Sequence, residues 1–122
     1  MQLTLILAAM IAVLVGVVHS VLGEKLMFSK LRQQNWVPNQ SAGPLHESHI
    51  RIIWASWHVL SIFGFVLAAI LLRLAWPVQA VQLGAFIQNA VFAGMVAAAF
   101  LVIVGTRGRH PGWIGLLLVG LL

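Results

Sequence analysis

The sequence contains no cysteine, and only two of its 122 residues are acidic, Glu24 and Glu47. The absence of cysteine excludes disulfides, thiolate metal sites, cysteine nucleophiles and haem attached through thioethers. Any metal bound by this chain must therefore be held by histidine, glutamate or backbone oxygen. With so few carboxylates, each of the two marks a place where chemistry or pairing is expected.

Charged residues of either sign are scarce as well. They make up 7% of the chain, whereas soluble domains carry about 25%. Hydrophobic residues make up 61%, and the mean hydropathy is +1.03. A soluble surface cannot be built from this composition, so we expect a lipid bilayer as the surroundings. The net charge of +5 does not indicate nucleic acid, because the seven basic residues are spread between the apolar runs.

The apolar runs predict an all-α, integral membrane four-helix bundle with a single transmembrane domain over residues 1–122. No basic residue precedes the first run, which exceeds the roughly 7–15 residues of a signal-peptide core, so we expect a permanent helix. The last segment rises only about 18 Å against a hydrocarbon core of about 30 Å, which makes the fourth helix short. The predicted helices cover residues 3–23, 45–76, 78–104 and 110–122, with Pro44 suited to the first helical position of the second.

The basic residues predict the orientation of the chain in the membrane. Four crossings place the first and third loops on one side, where six of the seven basic residues fall, and Arg73 alone on the other. Basic loops stay in the cytoplasm. We therefore expect a multi-pass protein with both termini outside and the long first loop inside. The six are Lys25, Lys30, Arg32, Arg51, Arg107 and Arg109.

The same end of the predicted bundle holds all five histidines and both carboxylates, and the other end holds none. On the first helix, His19 and Glu24 adjoin a stripe of small residues that would face a neighbouring helix. On the second, Arg51 and His58 share one face with Glu47. Ionisable groups inside a membrane are functional candidates by default.

One hypothesis for this cluster is a transition-metal or haem b site. His19 and His58 differ in depth by only about one helical turn and would be the two axial ligands of a haem. Arg51, Lys25 or Arg107 would then meet the propionates. For a bare metal, the candidate ligands are His19 and His58 together with one of Glu24, His49 or His110.

Other hypotheses stay open beside this one. The cluster would also suit a non-catalytic membrane assembly or accessory protein that binds lipid headgroups, a membrane-protein partner or a second copy of itself. Glu24 would then pair with Arg51 or Lys25, and His110 would cap the last helix. A third hypothesis is an enzyme acting on a lipid or quinone through His19 and Glu24. A serine hydrolase needs a Ser-His-acid arrangement, which Ser20 and His19 cannot form by adjacency, since neighbouring helical residues point apart.

Three segments resemble a group of short four-helix bacterial inner-membrane proteins. They are His19-Ser20-Val21-Leu22-Gly23-Glu24, the stretch from Arg51 to His58, and the turn Gly108-Arg109-His110 before the last helix. The resemblance implies the four-helix fold and a bacterial inner membrane, and it implies no chemistry. In such a membrane, the termini that the basic loops place outside would be periplasmic. It draws attention to His19, Glu24, Arg51, His58, Arg109 and His110.

Overall fold

A computed structural model describes all residues, 1–122, and contains four α-helices and no strand. The all-α fold with a short fourth helix is therefore confirmed. Each long helix ends near Gly, Pro or charged residues, which are the residues that interrupt an apolar helix. The helices are α1 (Leu3–Leu26), α2 (Glu47–Leu74), α3 (Ala80–Thr106) and α4 (Gly112–Leu121).

The four helices pack in chain order as an antiparallel row, α1 on α2, α2 on α3 and α3 on α4. Small residues make each contact close. A Cβ on Gly16 would lie 2.7 Å from the Phe65 ring, and one on Gly105 would lie 2.8 Å from Ala55 Cβ. In lipid there is no hydrophobic driving force for apolar helices to associate. The van der Waals contacts made by closely approaching backbones hold them together instead. This row is what brings the polar ends of α1, α2 and α3 together.

Lipid is the solvent for most of the surface. Only 18 of the 122 residues are buried within the chain, so most leucine, valine and phenylalanine side chains point outward. Three helices, α1, α2 and α3, are long and apolar enough to cross a membrane. Helix α4 has 10 residues and rises about 15 Å, half of a typical hydrocarbon core. The bilayer is therefore the environment of the folded chain.

The buried face of α3 is its small-residue face. Gly94, Ala98 and Gly105 are buried, whereas Gln88 and Asn89 are exposed. The periodicity of the amides at positions 82 and 89 predicts that the deeper ones point into the bundle, and that prediction is wrong. The face with Gly94, Ala98 and Gly105 packs against α2 because small residues let the two helix backbones approach closely. An amide side chain on that face would hold the backbones apart.

The segment between α1 and α2 folds back over the end of this helix pair. It contains a single 3-10 turn at Phe28–Leu31, and Phe28 and Pro38 are its fully buried side chains. The backbone N–H groups of Asn39 and Gln40 both donate to the Leu31 carbonyl, which closes the loop. Helix α2 then begins at Glu47, so Pro44 does not occupy its first position.

Candidate functional site

A chain of hydrogen bonds links α1 to α2 through Ser20, His58 and Glu24. The Ser20 hydroxyl oxygen lies 2.9 Å from His58 Nδ1. On the other side of the ring, His58 Nε2 lies 2.9 Å from Glu24 Oε1. A carboxylate only accepts hydrogen bonds, so Nε2 carries the proton, and in the neutral ring Nδ1 is then an acceptor for the Ser20 hydroxyl. We call these three residues the relay.

Two further donors hold the Glu24 carboxylate in place. The Trp54 indole N–H donates to Oε1 over 2.6 Å, and Arg32 from the folded-back loop forms an ion pair with Oε2. The Trp54 ring also stands edge-on to the His58 ring, with centroids 5.1 Å apart. Charge-assisted bonds of this kind are stronger than neutral ones. They keep the carboxylate oriented toward His58.

Helical spacing explains why these side chains meet. Ser20 and Glu24 are four residues apart on α1, and Trp54 and His58 are four apart on α2, so each pair shares a face. Gly23 lets the helices approach, because a Cβ there would lie 2.2 Å from the Trp57 ring nitrogen. Ser20 lies about 9 Å from the end of α1, counted as six residues from Ser20 to Leu26, and Glu24 lies about 3 Å from it.

The relay opens into a cleft of about 540 Å³. Its lining combines polar side chains, among them Ser20, His58 and Arg32, with apolar ones, among them Ile62, Leu101 and Val104. The loop residues Trp36 and Val37 also line it. A cavity of this size and mixed polarity suits an amphiphile, with a polar group against the relay and a hydrocarbon chain along α2 and α3.

His19 belongs to a different contact from His58. Its ring stacks flat on Trp57, with centroids 4.3 Å apart, and its Nε2 atom is buried without a hydrogen-bond partner. The Trp57 indole donates to the His19 backbone carbonyl over 3.0 Å. His58 uses both of its ring nitrogens in the relay. A metal or haem at His58 would therefore have to displace Ser20 or Glu24.

The remaining candidate ligands, His49 and His110, accept backbone hydrogen bonds at the starts of α2 and α4. His49 Nδ1 accepts the backbone N–H of His46 at the start of α2, over 3.3 Å. His110 Nδ1 accepts the backbone N–H of Gly112 at the start of α4, over 3.1 Å, which is the capping role suggested for it. Across the chain, no three histidine or acidic side chains converge in a way that would hold a metal ion.

Arg51 lies two turns before His58 on the same face of α2, and its side chain reaches α3. It lies 3.5 Å from Glu47 at its own helix start, and it donates to the Val104 carbonyl over 3.3 Å. The hypothesis that Glu24 pairs with Arg51 or Lys25 is therefore wrong, because Arg32 takes that place. Loop 27–46 brings Arg32 back to α1 over eight residues of chain, whereas Arg51 lies two turns nearer the start of α2, where it contacts Glu47 and the Val104 carbonyl.

Several residues of the site do not follow from the sequence analysis. Ser20, Trp54 and Ser61 complete the hydrogen-bonded group, with the two serine hydroxyls 2.8 Å apart. A hydroxyl has one proton, so Ser20 donates either to Ser61 or to His58 Nδ1, and the relay requires the state in which Ser61 donates to Ser20. The spacing of these three residues relative to Glu24 and His58 was the available signal, since each pair lies three or four residues apart on one helix. Arg32 left no such signal, because its position depends on how the loop folds.

The fold and the relay define a helical integral membrane protein with a histidine hydrogen-bonded to a carboxylate between its first two helices. Comparison with known protein families, with curated proteins and with solved structures finds no match for this chain.

Proposed function

We propose that this membrane protein catalyses nucleophilic acyl transfer on a membrane-soluble ester, with Ser20 as nucleophile, His58 as general base and Glu24 as the group that orients His58. The observation that carries the proposal is the unbroken hydrogen-bond chain from Ser20 through His58 to Glu24. A nucleophile and a base within hydrogen-bond reach, with the base oriented by a third group, are the marks of an activated serine.

The chemistry follows from the proton positions. Ser20 Oγ would attack the ester carbonyl carbon while His58 Nδ1 takes the hydroxyl proton, and Glu24 would stabilise the resulting imidazolium. The leaving alcohol would take that proton as the ester bond breaks, which leaves an acyl group on Ser20. Water or a second alcohol, deprotonated by the same nitrogen, would then release the acyl group and restore the serine.

Charge on the carbonyl oxygen must be stabilised by a side chain here. Ser20 stands inside α1, so its backbone N–H is used in the helix and cannot point at a substrate. Arg32 Nε is buried, has no hydrogen-bond partner and belongs to a side chain that lines the same cleft. We assign the oxyanion to Arg32, and the acyl chain to the apolar side chains that line the cleft, Ile62, Leu101 and Val104.

The location supports a lipid-borne substrate. We infer a bacterial inner membrane with both termini periplasmic and the relay at the cytoplasmic edge. Six of the seven basic residues lie at that edge, and the resemblance to short bacterial inner-membrane proteins agrees with it. A site about one to two turns inside the membrane reaches the ester region of a lipid more easily than its headgroup or tail end.

The test is covalent labelling of the detergent-purified protein with a fluorescent alkyl fluorophosphonate, followed by peptide mass spectrometry. We expect the label on Ser20, because the relay deprotonates that hydroxyl and no other. Ser20→Ala should remove the label and lower hydrolysis of a medium-chain nitrophenyl ester by about 10⁴-fold or more.

Ser56→Ala is the matched control, since Ser56 is an exposed α2 serine outside the relay. It should label and hydrolyse like the parent protein. Absence of label from the folded parent, or equal labelling of the Ser20 variant, would contradict the proposal. In that case the hydrogen bonds of the relay only hold α1 and α2 together, and the accessory-protein hypothesis replaces acyl transfer.

The metal hypothesis has one observation in its favour, the buried and unpartnered Nε2 of His19. A single nitrogen does not make a site, and His58 is already fully bonded. Elemental analysis of protein purified without chelators separates the two proposals. Stoichiometric iron, copper or zinc that disappears in His19→Ala would replace acyl transfer with metal or haem binding.

A further inference from the structure

We propose that a second pocket binds a phosphate-type oxyanion. It lies at the same end of the helix bundle as the relay, but between α2, α3 and α4. The pocket has a volume of about 300 Å³ and is lined by Arg51, Arg107 and Arg109 together with Glu47, His49 and His110. We call it the arginine pocket. It is separate from the cleft at the relay and shares no lining residue with it.

Arg51 is the residue that points to a ligand. It is only 7% exposed, and its Nε atom is buried with no hydrogen-bond partner. Its other contacts are the Val104 carbonyl at 3.3 Å and Glu47 at 3.5 Å. A buried guanidinium with an unused donor is costly unless an acceptor completes it. An oxyanion in the pocket would supply that acceptor.

The charges around Arg51 favour the same ligand. Glu47 is the only carboxylate in the pocket, and Arg107 also lies 3.5 Å from it, so one negative charge faces three arginines. The pocket therefore has an excess of two positive charges when the histidines are neutral. Planar guanidinium groups match the paired oxygens of a phosphate, which makes arginine the usual residue for phosphate recognition.

The backbone adds to the attraction. Glu47 and Ser48, the first residues of the 28-residue helix α2, line the pocket, so the N–H groups of these two residues, which the helix leaves unpaired, lie beside it. The N–H groups of His49 and Ile50 already donate to the His46 carbonyl. Arg107 and Gly108 have left-handed φ values of 56° and 73°, which end α3 and turn the chain across this helix start. The turn carries Arg107 and Arg109 to the pocket.

The ligand class is a phosphate group carried by a lipid or free in solution. The test measures dissociation constants by calorimetry for the full-length protein in phosphate-free detergent, with two probes: inorganic phosphate and a short-chain phosphatidic acid. Binding of phosphatidic acid alone assigns the pocket to a lipid headgroup, and binding of both with similar affinity assigns it to free phosphate.

Variants identify the pocket as the place of binding. Arg51→Gln and Arg109→Gln should each weaken binding about tenfold or more, since each removes charge-assisted hydrogen bonds. Arg73→Gln, at the opposite end of α2, is the matched control and should stay within about twofold of the parent. Where the buried Arg51 variant does not fold, the exposed Arg109 variant decides the question.

Glu47→Gln gives a change of the opposite sign. Removing the only carboxylate should tighten phosphate binding, because it raises the net positive charge and frees the Arg51 and Arg107 guanidinium groups. A purely structural role for these residues would not tighten binding of an anion. The proposal is overturned when neither probe binds, when Arg73→Gln weakens binding as much as Arg109→Gln, or when Glu47→Gln weakens it.

Discussion

Glu24→Gln is expected to reduce ester hydrolysis by about 10²–10⁴-fold, even though the new side chain has nearly the same shape. The reason is the lost charge. Trp54 N–H and His58 Nε2–H both donate to Oε1, so the amide keeps its oxygen at that position. A neutral oxygen no longer stabilises the imidazolium that forms when His58 takes the Ser20 proton.

The same substitution should also lower stability. It removes the charge that accepts hydrogen bonds from Trp54 and Arg32, and bonds to charged groups contribute about 1.5–3 kcal/mol each when well buried. The Glu24 side chain is about a quarter exposed, so we expect a loss of about 1–3 kcal/mol in total. Unfolding in mixed detergent micelles, followed by circular dichroism, measures this loss.

Lys25→Gln is the control for both readouts, because Lys25 is the next residue, is exposed and lies outside the relay. It should hydrolyse the ester at the parent rate and unfold at the parent midpoint. If Glu24→Gln loses stability but keeps the parent rate of hydrolysis, Glu24 holds the helices together and does not orient a catalytic histidine. If Glu24→Gln keeps both the parent stability and the parent rate of ester hydrolysis, the relay contributes neither to folding nor to catalysis.

Gly105→Ala is expected to destabilise the protein by about 1–3 kcal/mol through overpacking between α2 and α3. The added Cβ would lie 2.8 Å from Ala55 Cβ and 3.4 Å from the Arg51 carbonyl oxygen. Ala55 is 0% exposed, and its Cβ is fixed to the α2 backbone, so the contact is relieved only when the helices move apart. The same unfolding experiment measures the shift.

Gly84→Ala on the same helix is the matched control. A Cβ at Gly84 meets nothing within 4 Å, so alanine there should leave stability unchanged or raise it by up to about 1 kcal/mol, as helix propensity favours alanine. Equal unfolding midpoints for the two variants would show that α2 and α3 do not depend on close backbone contact. A loss at Gly84 larger than that at Gly105 would place the tight interface elsewhere.

The relay and the arginine pocket lie at the same end of the molecule, about two turns apart along α2. His58 bonds Glu24 of α1, and Arg51, seven residues earlier on the same helical face, bonds the Val104 carbonyl of α3 and lines the pocket beside the turn into α4. An acyl-transfer site and a phosphate site on one helix would suit a phospholipid or another phosphate-bearing ester. The two proposals stay independent, because the serine label tests the first and anion binding tests the second.

The sequence alone determined the membrane environment and the helical architecture. Long apolar runs with few charges have only one stable form in lipid, the hydrogen-bonded helix, and their lengths follow from the positions of charged residues, glycine and proline. For this reason the four predicted helices agree with α1 to α4 to within a few residues at each end. The gathering of histidines and carboxylates at one end follows from the same alternation of crossings.

The tertiary structure alone decided which of these residues meet. Helical periodicity tells which side chains share a face, but not which neighbouring helix that face meets or how a loop returns. Thus His58 bonds Ser20 instead of standing opposite His19, and Arg32 reaches Glu24 from the loop while Arg51 turns to α3. Asn89 remains at the surface because the close contact between α2 and α3 forms on small residues such as Gly105 and Ala55. Which helix faces approach closely enough to touch determined the composition of the site, and a sequence pattern does not contain that information.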